Sequence, residues 1–379
     1  MRTDHRFATA VVLGSAVIAT GPASAQPTTE LHVAENQFPT SLDADGNPIY
    51  TGPFVSADWI AQQSMTLQAN SSYWAGAPAV RTIFVRYIPD VSACVLALQA
   101  GDVDIAHALL PSDVAPLQAA GFQVFSFPFG RQDDMLLNVN RAPLDDVSVR
   151  RAIALAVDRE ALLNGVMNGV GTTATGLAPE NLGLAGVLST QQFDSAQARA
   201  VLDGAGWLPG GDGIRTKNGQ RLAFKLGAYA SRAELGPLTV ALKDQLRSVG
   251  IEVSLETFSD INTTVATNAF DATLYSYGVA PFGDLGGGAI ATLYTPSGTN
   301  KDRYSNPQVN AAFGQYNQTS DPAQRQSLLS TIQTLVGQDV PVVYLVNPNQ
   351  IVTASPRVVG YVPHPLENYK IDLTLRIRP

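Results

Sequence analysis

Residues 222–256 read LAFKLGAYASRAELGPLTVALKDQLRSVGIEVSLE, and they predict a strand, a helix and a second strand in that order. Leu222–Tyr229 and Ile251–Glu256 have the length and apolar pattern of strands, whereas Glu234–Val249 is long enough for a helix. Two strands joined through a helix lie parallel in one sheet. This stretch therefore indicates an α/β fold.

Similar segments continue on both sides of this stretch. Asp145 and Asp146 precede an apolar stripe and predict a capped helix, and Asp321 with Pro322 predicts the start of another. The further strands predicted from apolar patterning are Leu31–Glu35, Met65–Ala69, Val80–Ile88, Val103–Ile105, Ala272–Tyr277, Val342–Val346 and Ile351–Thr353. The further predicted helices are Val91–Ala100, Val147–Val157, Ser195–Ala205 and a short one near Ile261–Asn268. The alternation predicts mainly parallel sheet neighbours.

Length and charge narrow the class of protein. A chain of 379 residues is long enough for two compact domains with their own cores. The formal net charge is −8, and no run of lysine and arginine is present. Nucleic-acid binding needs clustered positive charge for the phosphates, so the composition argues against a nucleic-acid partner.

The first residues predict export. A basic start at Arg2 and Arg6 precedes the apolar run Phe7–Thr20, and Ala23–Ala25 is a small-residue cleavage signal before Gln26. This order is typical of a secretory signal peptide, here residues 1–25. The apolar run is shorter than the ~20 residues that a membrane span requires. Because the only cysteine is Cys94, far from the cleavage point, we expect a periplasmic protein without a lipid anchor.

The sequence offers no motif for catalysis or for a resident metal. It lacks a nucleophile elbow, a zinc-binding helix motif and a nucleotide-binding loop. The glycine-rich stretch 209–219 predicts turns, with an Asn-Gly hairpin at Asn218. Beyond the signal peptide the histidines are His32, His107 and His364, with no close pair. We therefore expect no catalytic residue, no cofactor and no protein-built metal site.

Several short motifs, in order along the chain, carry a family resemblance. They are Thr51-Gly52-Pro53-Phe54 with Trp59; Asn70, Tyr73-Trp74, Gly76 and Pro78; Ile88-Pro89-Asp90; Ala97 to Asp104 (ALQAGDVD); Asn138, Pro143 and Asp145-Asp146; Val149 to Ala152 (VRRA); and Ala156 to Arg159 (AVDR). Together they resemble extracellular solute-binding protein family 5, the binding proteins of peptide and nickel ABC importers. Packing, turn and capping roles are expected for these residues. The motifs therefore identify the scaffold of the protein rather than its ligand site.

The resemblance implies a two-lobed periplasmic binding protein of the type II-like, cluster C architecture. Lobe I would use residues 26–129 and 347–379, and lobe II residues 130–346, with a solute clamped between them. Relatives carry a long stretch between the first strand and the TGPF segment, but here few residues separate Glu35 from Thr51. The small extra subdomain is therefore expected to be largely missing, and lobe I to be reduced.

The function implied by the resemblance is capture of a small solute. The protein would deliver it to a membrane permease whose ATPase supplies the energy, and it would act as a monomer without chemistry of its own. Three alternatives stay open at this point: a secreted hydrolase, a non-functional truncated remnant, and a receptor adaptor that signals rather than transports.

The solute itself stays open between a peptide, a nickel chelate, an opine and a sugar-like molecule. Peptide-binding relatives place an aspartate where Ala280 stands, and an alanine cannot form that charge-assisted bond. The nickel branch has an alanine-proline pair there, but its tryptophan aligns with Gly278. A position near predicted strand ends makes Phe38, Tyr277, Phe282 and Asn347 the predicted ligand-binding residues.

Overall fold

A computed structural model gives the fold. It describes residues 30–35, 52–107, 109–179, 182, 191–280, 284–286, 288–298, 300–362 and 375–378. The chain divides into two compact units, the first made of Met1–Phe129 with Gln350–Pro379 and the second of Gly130–Asn349. Among the described residues, none of the helices has both the length and the apolar character needed to cross a bilayer.

Unit 1 is built on a mixed sheet. Its elements are β1 Glu30–Glu35, β2 Phe54–Ile60, β3 Ser64–Ala69, β4 Thr82–Tyr87, α1 Val91–Ala100, β5 Ile105–His107, a 3-10 turn Pro111–Asp113, α2 Val114–Ala119 and β6 Gln123–Pro128. β1 lies parallel to β4 and β5, and β3 pairs antiparallel with β4 and β2. The strand predicted at Val103–Ile105 thus begins two residues later.

Unit 2 holds most of the helices in the described part of the chain. Its elements are β7 Arg131–Leu137, α3 Val147–Ala156, α4 Arg159–Gly165, β8 Gly171–Thr173, α5 Ser195–Gly204, β9 Leu208–Pro209, β10 Arg215–Lys217, β11 Gln220–Arg221, β12 Ala223–Tyr229, α6 Leu235–Ser248, β13 Glu252–Phe258, α7 Ile261–Ala266, β14 Ala272–Gly278, α8 Pro307–Gln318 and α9 Pro322–Asp339. The long strand β15 Val342–Ala354 follows, and β16 Val358–Val359 and β17 Arg376–Ile377 form a small antiparallel pair in unit 1.

The sheet of unit 2 has the order β13-β12-β14-β7-β15. β12 is parallel to β13 and β14, as the strand-helix-strand stretch predicted. β7 is antiparallel to both β14 and β15. The prediction of mainly parallel neighbours is therefore wrong. β7 lies between β14 and β15 and runs antiparallel to both of them.

β15 differs from its prediction as well. One strand of 13 residues replaces the two predicted strands, Val342–Val346 and Ile351–Thr353. Its first residues pair with β7, and its last residues pair with β5 of unit 1. The division between the units falls after Asn349, whereas the sequence placed it after Val346. The backbone of β15 stays extended through this point although Asn347 and Pro348 lie there.

Side-chain caps explain where several helices begin. Asp146 accepts a hydrogen bond from the backbone N–H of Ser148, and Asp321 accepts one from that of Gln324. These two caps confirm the predicted starts of α3 and α9, and Asp145 is not the capping residue. The Asn-Gly turn is also confirmed, since Asn218 and Gly219 have positive φ angles between the antiparallel strands β10 and β11.

Both faces of the unit 2 sheet are buried. One face packs against α3, α5 and α6 through a cluster that includes Ile153, Leu202 and Leu242. The other packs against α8 and α9 through a cluster that includes Phe313 and Ile332. Val343 and Leu345 of β15 enter the first cluster and Val342 and Tyr344 the second, as the period of two in a strand requires.

Two neighbouring arginines tie α3 to the end of α9. The buried Arg150 donates to the carbonyls of Leu144 and Asp145 and to those of Asp339 and Val340. The exposed Arg151 donates only to the Gln338 carbonyl. Both arginines of the VRRA motif therefore have a structural role, and that of Arg150 is the larger.

We expect Arg150→Ala to lower the free energy of unfolding by about 3 kcal/mol, because it leaves several buried carbonyls without a donor. Arg151→Ala is the matched control, and its cost should stay below about 1 kcal/mol at an exposed position. Urea unfolding of both variants measures the difference. Equal losses would contradict the proposed role of Arg150.

Candidate functional site

The first half of β7 is a buried run of four polar residues. Arg131 is 7% exposed, and Gln132, Asp133 and Asp134 are 0% exposed. The strand lies between β14 and β15, so these side chains enter the interior of unit 2 from a central position. Burying charged groups is costly unless partners or a function compensate the cost. We therefore expect a functional site of unit 2 at this polar run.

One face of β7 carries Arg131 and Asp133. Ser276 of β14 stands opposite Asp133 in the sheet register, and its hydroxyl accepts a hydrogen bond of 3.3 Å from Arg131 Nη1. The Ser276 backbone N–H donates to the Tyr229 hydroxyl at 3.1 Å. Three strands thus contribute side chains to one cluster, which we call the Asp133 cluster: Arg131, Asp133, Tyr229 and Ser276, with Arg232 and Glu234 from the segment after β12.

Asp133 has an unusual electrostatic environment. Burial, followed by the negative charge of Glu234, raises its pKa to about 7, against the opposing effects of Ser276, Arg232 and Arg131. Neither of its carboxylate oxygens has a hydrogen bond of standard geometry with the described residues. Burial in the same surroundings also raises the pKa of Tyr229 to about 12. Asp133 is therefore a buried acid that can carry a proton near neutral pH.

The opposite face of β7 brings together the two described members of the predicted ligand-binding set. Gln132 stands opposite Tyr277 of β14, and its amide donates to Asn347 Oδ1 of β15 at 3.0 Å. Asn347 in turn donates to the Thr172 hydroxyl and the Thr173 carbonyl of β8. Tyr277 and Asn347 therefore lie on either side of Gln132.

Asp134 lies on this second face as well. Burial raises its pKa well above the usual value, although the Tyr277 hydroxyl and the charge of Arg159 oppose the shift. Burial and the charge of Asp134 also raise the pKa of Tyr277 well above that of a free tyrosine. A neutral tyrosine hydroxyl beside a carboxyl group can donate a hydrogen bond or accept one.

The direction of the strands places these groups at one end of the unit 2 sheet. β12 and β14 are parallel, and β14 ends at Gly278, which pairs with Arg131 at the start of β7. Tyr229 is the last residue of β12. In open α/β sheets, ligands bind beyond the carboxyl ends of the parallel strands. The Asp133 cluster is close to that end.

A cavity of about 570 Å³ lies elsewhere in unit 2. Its lining includes Phe224 near the start of β12, Glu252 at the start of β13, and Lys243 and Arg247 of α6. This position is at the amino ends of the parallel strands, and none of the predicted ligand-binding residues lines the cavity. We therefore do not assign solute binding to it.

Two of the predicted ligand-binding residues, Phe38 and Phe282, lie outside the described residues, as does His364. His32 lies in β1, where its ring stacks on Phe84, and His107 lies in β5. Within the described part of the chain, no three side chains of His, Cys, Asp or Glu are grouped so that they could hold a metal ion.

Comparison with known proteins identifies the family. Residues 6–301 match the model of bacterial extracellular solute-binding proteins, family 5. The chain belongs to this family, as its motifs predicted, and its mixed α/β fold is that of the two-lobed family 5 binding proteins.

Individual relatives bind different solutes. The chain is 27% identical to the nickel-binding periplasmic protein of Escherichia coli, covering 88% of this chain and 66% of the relative. It is 25% identical to the oligopeptide-binding protein AppA of Bacillus subtilis, covering 86% and 61%. The crystal structure of NikA from Staphylococcus aureus in complex with Ni(L-His)2 superposes with a TM-score of 0.76 at 25% identity, covering 86% of this chain and 69% of NikA.

The chain is shorter than these relatives. It spans 61–66% of the length of the first curated proteins that it matches.

The sequence prediction missed the Asp133 cluster altogether. No strand was predicted at β7, because Arg131 to Asp134 have neither the apolar pattern nor the alternation that indicates a buried strand. One signal was present in the sequence: this polar run ends four residues before Asn138, which belongs to a family motif.

A pH dependence of stability follows from the raised pKa of Asp133. Between the ordinary value of 3.8 and about 7, the folded chain holds a proton that the unfolded chain has lost. The free energy of unfolding should therefore fall with rising pH in this window, with a slope of at most about 1.4 kcal/mol per pH unit from this group.

We expect Asp133→Asn to make the decline between pH 5 and pH 7 shallower by up to that slope. Asp244→Asn, at an exposed position of α6, is the control and should leave the slope unchanged. Urea unfolding at pH 5, 6 and 7 measures all three proteins. A wild-type slope retained in Asp133→Asn would show that Asp133 ionises normally in the folded state.

Proposed function

We propose that this chain is the solute-binding component of an ABC importer, which captures a small solute and delivers it to a membrane permease. The observation that carries the proposal is a cluster of buried charged and polar side chains near the carboxyl ends of the unit 2 strands, in a chain of the solute-binding family. A structural sheet strand has little reason to bury Arg131 and Asp133 together.

The site includes side chains from both faces of β7. Tyr277 and Asn347 would contact the solute beside Gln132, and Arg131 with Ser276 would contact its polar groups. Phe38 and Phe282 remain proposed contacts from the strand-end argument alone. Each of the described residues comes from a different strand or strand face of one hydrogen-bonded sheet, which favours a preformed site.

A nickel chelate or a peptide is the proposed solute, because relatives at 25–27% identity are named for these ligands. An opine or a sugar-like solute is the broader alternative. Ala280, at the position where peptide-binding relatives have an aspartate, is buried and apolar. A peptide would therefore need a different partner for its amino terminus.

The proposal includes export to the periplasm after removal of residues 1–25, without a lipid anchor, and action as a monomer. We also propose that the chain catalyses no reaction: it would bind its solute and release it unchanged. A secreted hydrolase would consume the solute, and a truncated remnant would fail to bind one.

A solute screen tests the proposal. We expect the purified protein to be stabilised by Ni(L-His)2, by a dipeptide, by an opine or by a sugar when the solute is in excess. At a concentration one hundred times the Kd, binding adds about 2.7 kcal/mol to the free energy of unfolding. Thermal unfolding detects this change, and chromatography of the solute detects turnover. A folded protein that none of these classes stabilises would overturn the proposal.

A single substitution tests the predicted contact at β14. We expect Tyr277→Ala to weaken binding of the solute at least tenfold, which corresponds to about 1.4 kcal/mol. Tyr277→Phe keeps the ring and separates its packing from its hydroxyl. Isothermal titration calorimetry gives the Kd of each variant. An unchanged Kd in folded Tyr277→Ala would remove this residue from the site.

A further inference from the structure

The cavity at the amino ends of the parallel strands has a side made of hydrogen-bond donors. Lys243 and Arg247 of α6 line it, together with Ser254 of β13. All three residues are exposed, and within the described part of the chain none of their side chains has an ion pair or a hydrogen bond. Two cationic groups and a hydroxyl of this cavity can therefore bind an incoming ligand.

The carboxylates that line the same cavity already have cationic partners beside it. Glu252 accepts a hydrogen bond of 2.9 Å from Arg221 Nε. Asp271 lies 3.5 Å from Arg141 Nη1 and also accepts from the backbone N–H of Lys225 at 3.1 Å. The formal charge that is left without a partner in this cavity is therefore the positive charge of α6.

The stability of α6 does not account for its two cations. Lys243 and Arg247 are four residues apart, so they are neighbours on the helix surface, where like charges repel each other. The helix dipole favours Arg247 in the last turn, but Lys243 lies before that turn. Asp244 precedes Arg247 by three residues and forms no ion pair with it. An anion bound to both cations would remove their repulsion.

We propose that this cavity binds a small organic dianion through Lys243 and Arg247, with the Ser254 hydroxyl as a third donor. Each of two carboxylates can accept charge-assisted hydrogen bonds from one of the cations. Phe224 and Val253 are buried apolar residues of the lining, against which the hydrocarbon part of the ligand can pack. A volume of about 570 Å³ lies within the range of small-molecule sites.

This dianion site is separate from the proposed solute site. Ala223 and Tyr229 are the first and last residues of β12, and a strand of this length spans about 20 Å. Ala223 lines the cavity, whereas Tyr229 belongs to the Asp133 cluster. The proposal therefore does not rest on the solute-binding function.

Succinate and acetate are the probes, because they differ in the number of carboxylates. Salt screens exposed charges, so the ionic strength is kept constant. In calorimetric titrations, we expect wild-type protein to bind succinate at least about tenfold more tightly than acetate, which corresponds to about 1.4 kcal/mol. The double variant Lys243→Gln/Arg247→Gln should lose this preference. Arg151→Gln, which removes an exposed cation of α3, is the matched control and should keep the wild-type Kd.

Chemical labelling locates the bound anion without any substitution. Succinate at saturation should slow the acetylation of Lys243 by acetic anhydride severalfold, because a bound carboxylate covers the amine. Peptide mass spectrometry measures the rate at each lysine. Lys217, whose amine lies 3.2 Å from Asp146 Oδ2, is the internal control and should react at an unchanged rate.

Two kinds of result would overturn the proposal. Equal affinity for succinate and acetate, or no saturable binding of succinate, would show that the cavity does not select a dianion. A preference for succinate that persists in the double variant, or that leaves Lys243 unprotected, would place the dianion at another site. The solute screen tests the importer function separately, so neither result decides that function.

Discussion

The interaction on which unit 2 depends is the burial of the Arg159 guanidinium. It is 4% exposed and donates to the carbonyls of Ala154, Val157, Ala174 and Tyr344, as well as to Gln191. Gln191 in turn donates to the Val342 carbonyl. One side chain thus joins the helical segment α3–α4 to the strands beneath it. Burial lowers the pKa of Arg159 to about 10, so the group stays charged at neutral pH.

This buried charge influences the polar half of β7. The charge of Arg159 opposes the effect of burial on Asp134, and Asp133 then adds a second carboxylate on the other face. A sheet with charges on both faces of its central strand is stable only if helices and neighbouring strands fix their surroundings. The Asp133 cluster is therefore a part of the fold that costs stability, and the proposed solute contact gives it a function.

The sequence predicted the parts of the fold that depend on local interactions. Apolar periodicity and the caps at Asp146 and Asp321 located most helices within one to three residues, and the family motifs identified the scaffold. It failed for β7, where a polar run gave no strand pattern, and for β15, which it divided into two strands. Both strands are stabilised by neighbours that are distant in sequence, and a local pattern carries no record of such neighbours.

By itself, the sequence determined the α/β class and the family, and it proposed Tyr277 and Asn347 as ligand contacts. Only the tertiary structure placed Gln132 between those two residues, and only it revealed Asp133 as a fully buried acid on β7. The physical reason is that burial and the distance between charges are properties of the packed sheet. The pKa of a side chain depends on both. The pKa of Asp133 is therefore raised only once β7 has paired with β14 and β15.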